Sequence, residues 1–263
     1  MSEFGGQVLV VTSGKGGVGK TTSSANIGAA LSMLGKKVLL LDTDLGLRNL
    51  DIILGIENRI VFDIVDVVCG ICDIEQALIE DKRFDGLFLM PASQTSDKDV
   101  LSEKQIKELI LKLKERFDYI IIDCPAGIEQ GFKNAVVAAD KAIIVVTPDK
   151  TSIRDADRII GLLEQNNLSD YVLLINRLRP DMIKKDYMLN IDEIIDILGI
   201  DLIGVVPEDE MIIVSANKNE PVVLNKKSKS GIAYKNVAER LTGNIVPLME
   251  FEKKGIFKFF KKN

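Results

Sequence analysis

Residues Gly14 to Thr21, GKGGVGKT, fit the pattern G-x-x-x-x-G-K-[ST]. The run before them, QVLVVTS (7–13), has the aliphatic character of a strand, and KTTSSANIGAALSMLG (20–35) that of a helix. In that setting the pattern predicts a phosphate-binding loop. Glycines let the backbone curl so that its N–H groups converge on phosphate oxygens, and the helix adds the positive end of its dipole. Gly16, Gly17, Val18, Gly19, Lys20, Thr21 and Thr22 are therefore the expected nucleotide contacts. Lys20 neutralises β- and γ-phosphate charge, and the Thr21 hydroxyl is placed to ligate Mg²⁺. Asp123 ends the apolar run YIIID and is the expected acidic member of the metal shell, with Asp42 in support. The chain has no histidine. A carboxylate is then the natural group to position the attacking water, and Asp44 is the candidate.

One lysine serves such a loop, yet this loop carries two. Lys15 lies between Gly14 and Gly16. A second cation on the outer side of the loop can point away from its own site and meet phosphates bound to another subunit, as an arginine finger does in trans. A solvated surface lysine is the alternative that spacing leaves open.

These groups need elements to hold them. Aliphatic runs at 7–13, 36–44, 85–91, 118–125, 141–148, 171–177 and 201–209 read as strands, and 20–35, 102–117, 152–166 and 232–243 as helices. Such alternation predicts a single-domain α/β fold, a mostly parallel twisted sheet with helices on both faces. Ligands in such folds sit at the carboxyl ends of the strands, where Asp42, Asp44 and Asp123 fall. NKKSKSG (225–231) reads as an exposed loop. The expected division is an ATPase domain over 1–246 and a tail over 247–263.

Bulk composition narrows the function further. Of the 263 residues, 46% are hydrophobic and only 5% aromatic, which suits a buried parallel sheet of aliphatic strands. The net charge of −5 argues against a surface built for nucleic acid. No histidine means no Ser-His-Asp machinery and no His-ligated metal. Three cysteines do not make a disulfide framework, which implies a reducing compartment. Cys69 and Cys72 form CGIC, a spacing open to metal or redox use, but one further cysteine, Cys124, cannot complete a four-ligand zinc site. No secretory signal pattern and no membrane-spanning run is read, so a cytoplasmic protein is expected.

The tail FEKKGIFKFFKKN (251–263) holds five lysines and one glutamate, so the rest of the chain carries −9. On a helical wheel Leu248, Met249, Ile256, Phe257, Phe259 and Phe260 share one half of the circle. Lys254, Lys258, Lys261 and Lys262 share the other. That pattern describes a helix lying in the interface of an anionic membrane, too short to cross it. A helix docked on the body and a disordered basic end are the other readings of the same composition.

The segment KGGVGKTT (15–22) resembles the deviant Walker A motif of the MinD/ParA class of ATPases. DTDLGLRNLDIILG (42–55), PASQTSDKDVLS (91–102), DCPAGIE (123–129) and VPEDEMIIVSANKNEPV (206–222) resemble its MinD branch. The resemblance implies an ATP-sandwiched homodimer in which Lys15 reaches the partner's phosphates. It implies a first switch holding Asp44 and Asn49, and a second after Asp123 that includes Gly127. It places adenine beside Asn176, Arg177 and the backbone of Pro207, Glu208 and Asp209. The chain reads NRLR where a guanine-binding N-K-x-D would stand, which favours ATP over GTP. Implied partners are a MinC-like inhibitor, an activating protein such as MinE, and the membrane, with Ile256, Phe257, Phe259, Phe260, Lys258 and Lys261 in the membrane helix and no specific nucleic acid. The implied location is cytoplasmic and peripheral on the membrane's cytoplasmic face. A ParA-type partition ATPase that binds DNA and an iron–sulfur carrier of the same class are the rival readings.

Overall fold

The computed structural model describes residues 5–96, 100–125, 127–128 and 130–250. Eight strands form one sheet: β1 (Gln7–Thr12), β2 (Val38–Asp42), β3 (Ile79–Glu80), β4 (Leu87–Met90), β5 (Tyr119–Asp123), β6 (Lys141–Val146), β7 (Tyr171–Leu178) and β8 (Leu202–Pro207). Their spatial order is β3-β4-β2-β5-β1-β6-β7-β8. Every pairing is parallel except that of the two-residue edge strand β3.

Eleven α-helices are seen among the described residues: α1 (Lys20–Met33), α2 (Leu50–Leu54), α3 (Ile64–Val68), α4 (Ile74–Ala77), α5 (Glu103–Lys114), α6 (Gln130–Val136), α7 (Lys150–Gln165), α8 (Pro180–Ile183), α9 (Ile191–Leu198), α10 (Glu210–Ala216) and α11 (Lys229–Leu241). The strands alternate sides residue by residue, as a pleat requires. Val8, Val10, Leu39, Leu41, Ile120 and Ile122 enter one core with the apolar faces of α5, α6, α7 and α9. Leu9, Val11, Val38, Leu40 and Ile121 enter the other with α1, α2 and α11. The fold class predicted from strand–helix alternation is the one observed.

Helix α1 anchors the loop after β1 in the core. It is buried nearly all round although it carries Ser23, Ser24 and Asn26. Each of these finds a partner, as buried polar groups must. Ser24 Oγ donates to Asp123 Oδ1 at 2.7 Å, and Ser23 Oγ lies 3.1 Å from Tyr234 Oη on α11. Asn26 Nδ2 donates to the Thr22 carbonyl, and its Oδ1 accepts from the Val223 amide.

The segment 225–231 is an exposed loop only in part: Lys226, Lys227 and Lys229 are exposed as expected, but the residues between and after them are not. Ser228 and Ser230 are buried, and α11 begins at Lys229 with Ser228 as its N-cap. Charge-rich composition suggested solvent, but the Asp209 carboxylate draws the turn inward by accepting from Ser228 Oγ at 2.7 Å and the Ser230 amide at 3.0 Å. Beyond α11, the Arg240 guanidinium donates to the carbonyls of Val246 and Pro247. Residues 251–263, with all six residues expected to meet the membrane, lie outside the described residues. Among the described residues no helix is long and apolar enough to cross a membrane.

Candidate nucleotide site

The carboxyl ends of β1, β2, β5 and β7 converge on the loop Ser13–Gly19. Parallel register sets Asp42 beside Asp123, and Val11 beside Asp123. A cleft of about 410 Å³ is lined by Gly17, Gly19, Lys20, Thr21, Thr22, Asp44, Asn49 and Arg177, among others. An adjoining cleft of about 490 Å³ runs from Lys15 and Gly17 past Asp149 to Arg177 and Glu208. Both volumes are of the size that small ligands occupy.

Two glycines in the loop are dictated by close approach. A Cβ on Gly14 would fall 2.3 Å from the Asp155 carbonyl oxygen, so the loop is seated directly on the backbone of α7. Gly19 has φ +99°, and a Cβ there would fall 2.4 Å from Asn176 Nδ2. Asn176 is buried and already committed: Nδ2 donates to the Val18 carbonyl at 2.7 Å, and Oδ1 accepts from the Arg177 amide at 2.9 Å. It therefore braces the phosphate loop from β7, and only its remaining hydrogen and lone pair are left for a base. Arg177 sits exposed at the irregular end of β7 with φ +57°, between the two clefts.

The two loop lysines are in different places. Lys20 is only 7% exposed and donates to Ser13 Oγ at 3.1 Å. A buried cation whose bonded partner is a neutral hydroxyl, at the start of a helix, fits a bound polyanion. Lys15 has 46% of its side chain exposed, at the rim.

Asp123 and Asp42 are both buried. Burial raises the Asp123 carboxyl to about 6, against the pull of the Thr21 and Ser24 hydroxyls and Lys20. Burial and then the Asp123 charge raise Asp42 to about 7, opposed by three backbone amides. Those amides give Asp42 a task that spacing did not suggest. Its carboxylate accepts from Asp44 at 3.0 Å, Asn49 at 3.2 Å and Leu50 at 3.4 Å, and so ties the expected first switch to the end of β2. A hydroxyl (Thr21) beside a carboxylate (Asp123) is a hard-oxygen donor set, which fits Mg²⁺. Asn49 is exposed at the cleft and Gly127 exposed with φ +102°. In the segment expected to border adenine, Ser230 Oγ donates to the Pro207 carbonyl and the Glu208 amide donates to the Leu178 carbonyl.

Cys69 and Cys72 lie away from this cleft, whereas buried Cys124 lines it. Cys69 is exposed and Cys72 partly buried. Burial, then Asp66, Asp73 and Asp63, push the Cys72 thiol up and away from its thiolate. Burial pushes Cys124 up to about 12. No cluster of three or more metal-ligating His, Cys, Asp or Glu side chains occurs among the described residues.

A parallel sheet with a phosphate loop after its central strand defines a P-loop nucleotide-binding protein. Residues 6–174 match the family model described as an AAA domain. The chain is 56% identical over 249 residues to the septum site-determining protein MinD of Bacillus subtilis, covering 94% of this chain and 93% of that one. It is 52% identical over 246 residues to that of Synechocystis, covering 93% and 92%. Among solved structures, MinD in the MinC:MinD cell division protein complex of Aquifex aeolicus matches with a TM-score of 0.87 at 49% identity, covering 93% of this chain and 98% of that chain. MinD of Pyrococcus horikoshii, complexed with Mg-ADP, matches with a TM-score of 0.80 at 28% identity, covering 89% and 95%. The chain belongs to the MinD family of cell-division ATPases.

Proposed function

We propose that the protein is a membrane-cycling ATPase that dimerises on ATP, binds the inner membrane surface through its tail and recruits a MinC-like inhibitor to control septum placement. The observation that carries this reading is the division between the loop lysines: Lys20 buried inside its own site, Lys15 half exposed at its rim. A cation at the rim is in place for a phosphate brought by a second copy. The Aquifex complex supports the inhibitor as partner, and the Pyrococcus complex supports Mg²⁺ and an adenine nucleotide.

In this reading the loop amides and Lys20 bind the phosphates of ATP. Thr21 and Asp123 hold Mg²⁺, which when bound neutralises charge on the β- and γ-phosphates. Asp44 orients the attacking water and accepts its proton. Asn49, at the start of α2, and Gly127 face the γ-phosphate side and report its presence. Lys15 enters the partner's site, and turnover stays slow until a MinE-like activator binds. Asn176, Arg177 and the segment Pro207–Asp209 border the adenine.

Two short basic-aromatic tails held in one dimer bind membrane with avidity on the order of 10²–10⁴ over a single tail. Hydrolysis separates the tails and releases both. Co-sedimentation with anionic and neutral vesicles, for the full chain and for a chain ending at Pro247, tests this. ATP-dependent binding of the full chain to anionic vesicles, absent with ADP and absent without the tail, is the expected result. Binding that is equal with both nucleotides, or that survives truncation, would rule out the coupling. A second expectation concerns pH. Mg²⁺ needs the Asp123 carboxylate ionised, yet burial holds the ligand-free group at about 6. Below that pH each unit should cost about tenfold in Mg²⁺-dependent nucleotide affinity, with little change between pH 7 and 8. Calorimetric titration with Mg·ADP from pH 5 to 8 reads it, and a flat profile would show that Asp123 does not titrate there.

A further inference from the structure

Two short helices run from the candidate site and end against each other. α2 starts where the Asp42 carboxylate holds the Asn49 and Leu50 amides, and Asn49, Ile52 and Ile53 line the cleft of about 410 Å³. α10 starts directly after Pro207–Asp209, with Asp209 as its N-cap through the Met211 amide at 3.0 Å. At their far ends they meet. A Cβ on Gly55, the C-cap of α2, would fall 2.6 Å from Asn219 Cβ and 2.8 Å from the carbonyl oxygen of Asn219, in the turn that follows α10. One guanidinium fastens this junction. From the turn between β3 and β4, Arg83 donates through Nη2 to the Leu54 carbonyl and through Nη1 to the Asn219 carbonyl at 2.9 Å. It also grips the Asp81 carboxylate as a fork, Nε to Oδ1 at 2.9 Å and Nη2 to Oδ2 at 2.6 Å. Asp81 is only 2% exposed, and its amide donates to the Leu87 carbonyl on β4 at 2.8 Å.

Carbonyls at a helix end have no partner within the helix, and a cation there complements the dipole. Arg83 supplies both for two helix ends at once, and a charge-assisted fork ties it to the edge of the sheet. α2 has only five residues, too few to persist as a helix unaided, so its ends set its position. Arg83 itself lines neither cleft of the site. We propose that Arg83 is a positioning residue that joins α2 to α10, so that a base seated at Pro207–Asp209 fixes the helix carrying Asn49, beside Asp44. This rests on the adenine-side and switch roles proposed above. Coupling between two such sites typically amounts to a factor of about 5–150.

The test uses the full chain and the variants Arg83→Lys and Asp81→Asn. Lysine keeps the charge at the helix ends and loses the planar fork. Hydrogen exchange of peptides covering α2 and α10 is read by mass spectrometry with and without Mg·ADP, beside steady-state turnover of ATP at a temperature well below each variant's Tm. In the parent, Mg·ADP should slow exchange in both helices by about 5-fold or more. In Arg83→Lys the slowing should persist in α10 and fall below about twofold in α2. Its kcat should drop by about 10–100-fold, the scale of a small misplacement of a catalytic group, with KM within about threefold of the parent. Asp81→Asn should act in the same direction. Slowing of α2 that survives in Arg83→Lys would overturn the proposal. So would faster exchange in both helices with an unchanged response to Mg·ADP and an unchanged kcat, because that is a merely structural role. If Mg·ADP leaves α10 of the parent unprotected, the adenine-side reading falls, and the coupling falls with it.

Discussion

Lys15→Gln is expected to lower activated ATP turnover by about 10³-fold or more, the magnitude that a trans cation contributes to phosphoryl transfer. Its nucleotide affinity as a monomer should stay within about twofold of the parent. The asymmetry follows from position. Lys15 stands at the rim with its ammonium on Thr151 and near Asp149, turned to the neighbouring helix. Removing it takes nothing from the phosphates of its own site. The loss should appear in the dimer and in turnover measured with membrane and activator present. Equilibrium binding of Mg·ADP and steady-state turnover are the two measurements. A variant that binds ADP poorly would place Lys15 in its own site instead, and one that keeps full activated turnover would remove its catalytic role.

Lys20→Gln is expected to fail earlier, at binding. Glutamine retains a donor toward Ser13 Oγ but delivers no charge to the phosphates. Charge-assisted hydrogen bonds contribute about 1.5–3 kcal/mol each, and one buried ammonium can make several to a triphosphate. An affinity loss of about 10²–10³-fold for both ADP and ATP follows. Ligand stabilises a folded protein by about 4 kcal/mol at a thousand times its dissociation constant, so the rise in Tm on adding Mg·ADP should collapse. Lys20 also counters the upward push on Asp123. Without it, the carboxyl should titrate above about 6, and the pH below which Mg²⁺ binding weakens should move up. Thermal shift with and without Mg·ADP between pH 6 and 8 reads both effects. A normal ligand-induced shift would place the phosphates elsewhere than at Lys20.

Much of the placement of the candidate site was legible because its determinants are local. GKGGVGKT spans eight residues between a strand pattern and a helix pattern, and both patterns are set by side-chain periodicity within one element. Asp42 and Asp123 could be placed at strand ends for the same reason. Short helices without a long apolar period, such as α2, α3, α6 and α10, gave no comparable signal. The segment 225–231 was read only in part: its lysines are exposed as their charge indicates, while the Asp209 carboxylate that draws Ser228 and Ser230 inward lies about twenty residues earlier.

The residue order by itself determined the chemistry on offer: a phosphate loop with two lysines, carboxylates at the strand ends, no histidine, and a tail with aromatic residues opposed to lysines. Tertiary structure decided which of these groups are already engaged and with whom. Lys15 meets Thr151 and Asp149, Asn176 braces Val18, and Asp42 ties the backbone at Asp44, Asn49 and Leu50. The physical reason is that local periodicity selects helix or strand within a few residues. The order of parallel strands in the sheet is a global packing outcome, and it alone brings the end of β1 beside the start of α7 and the end of β7.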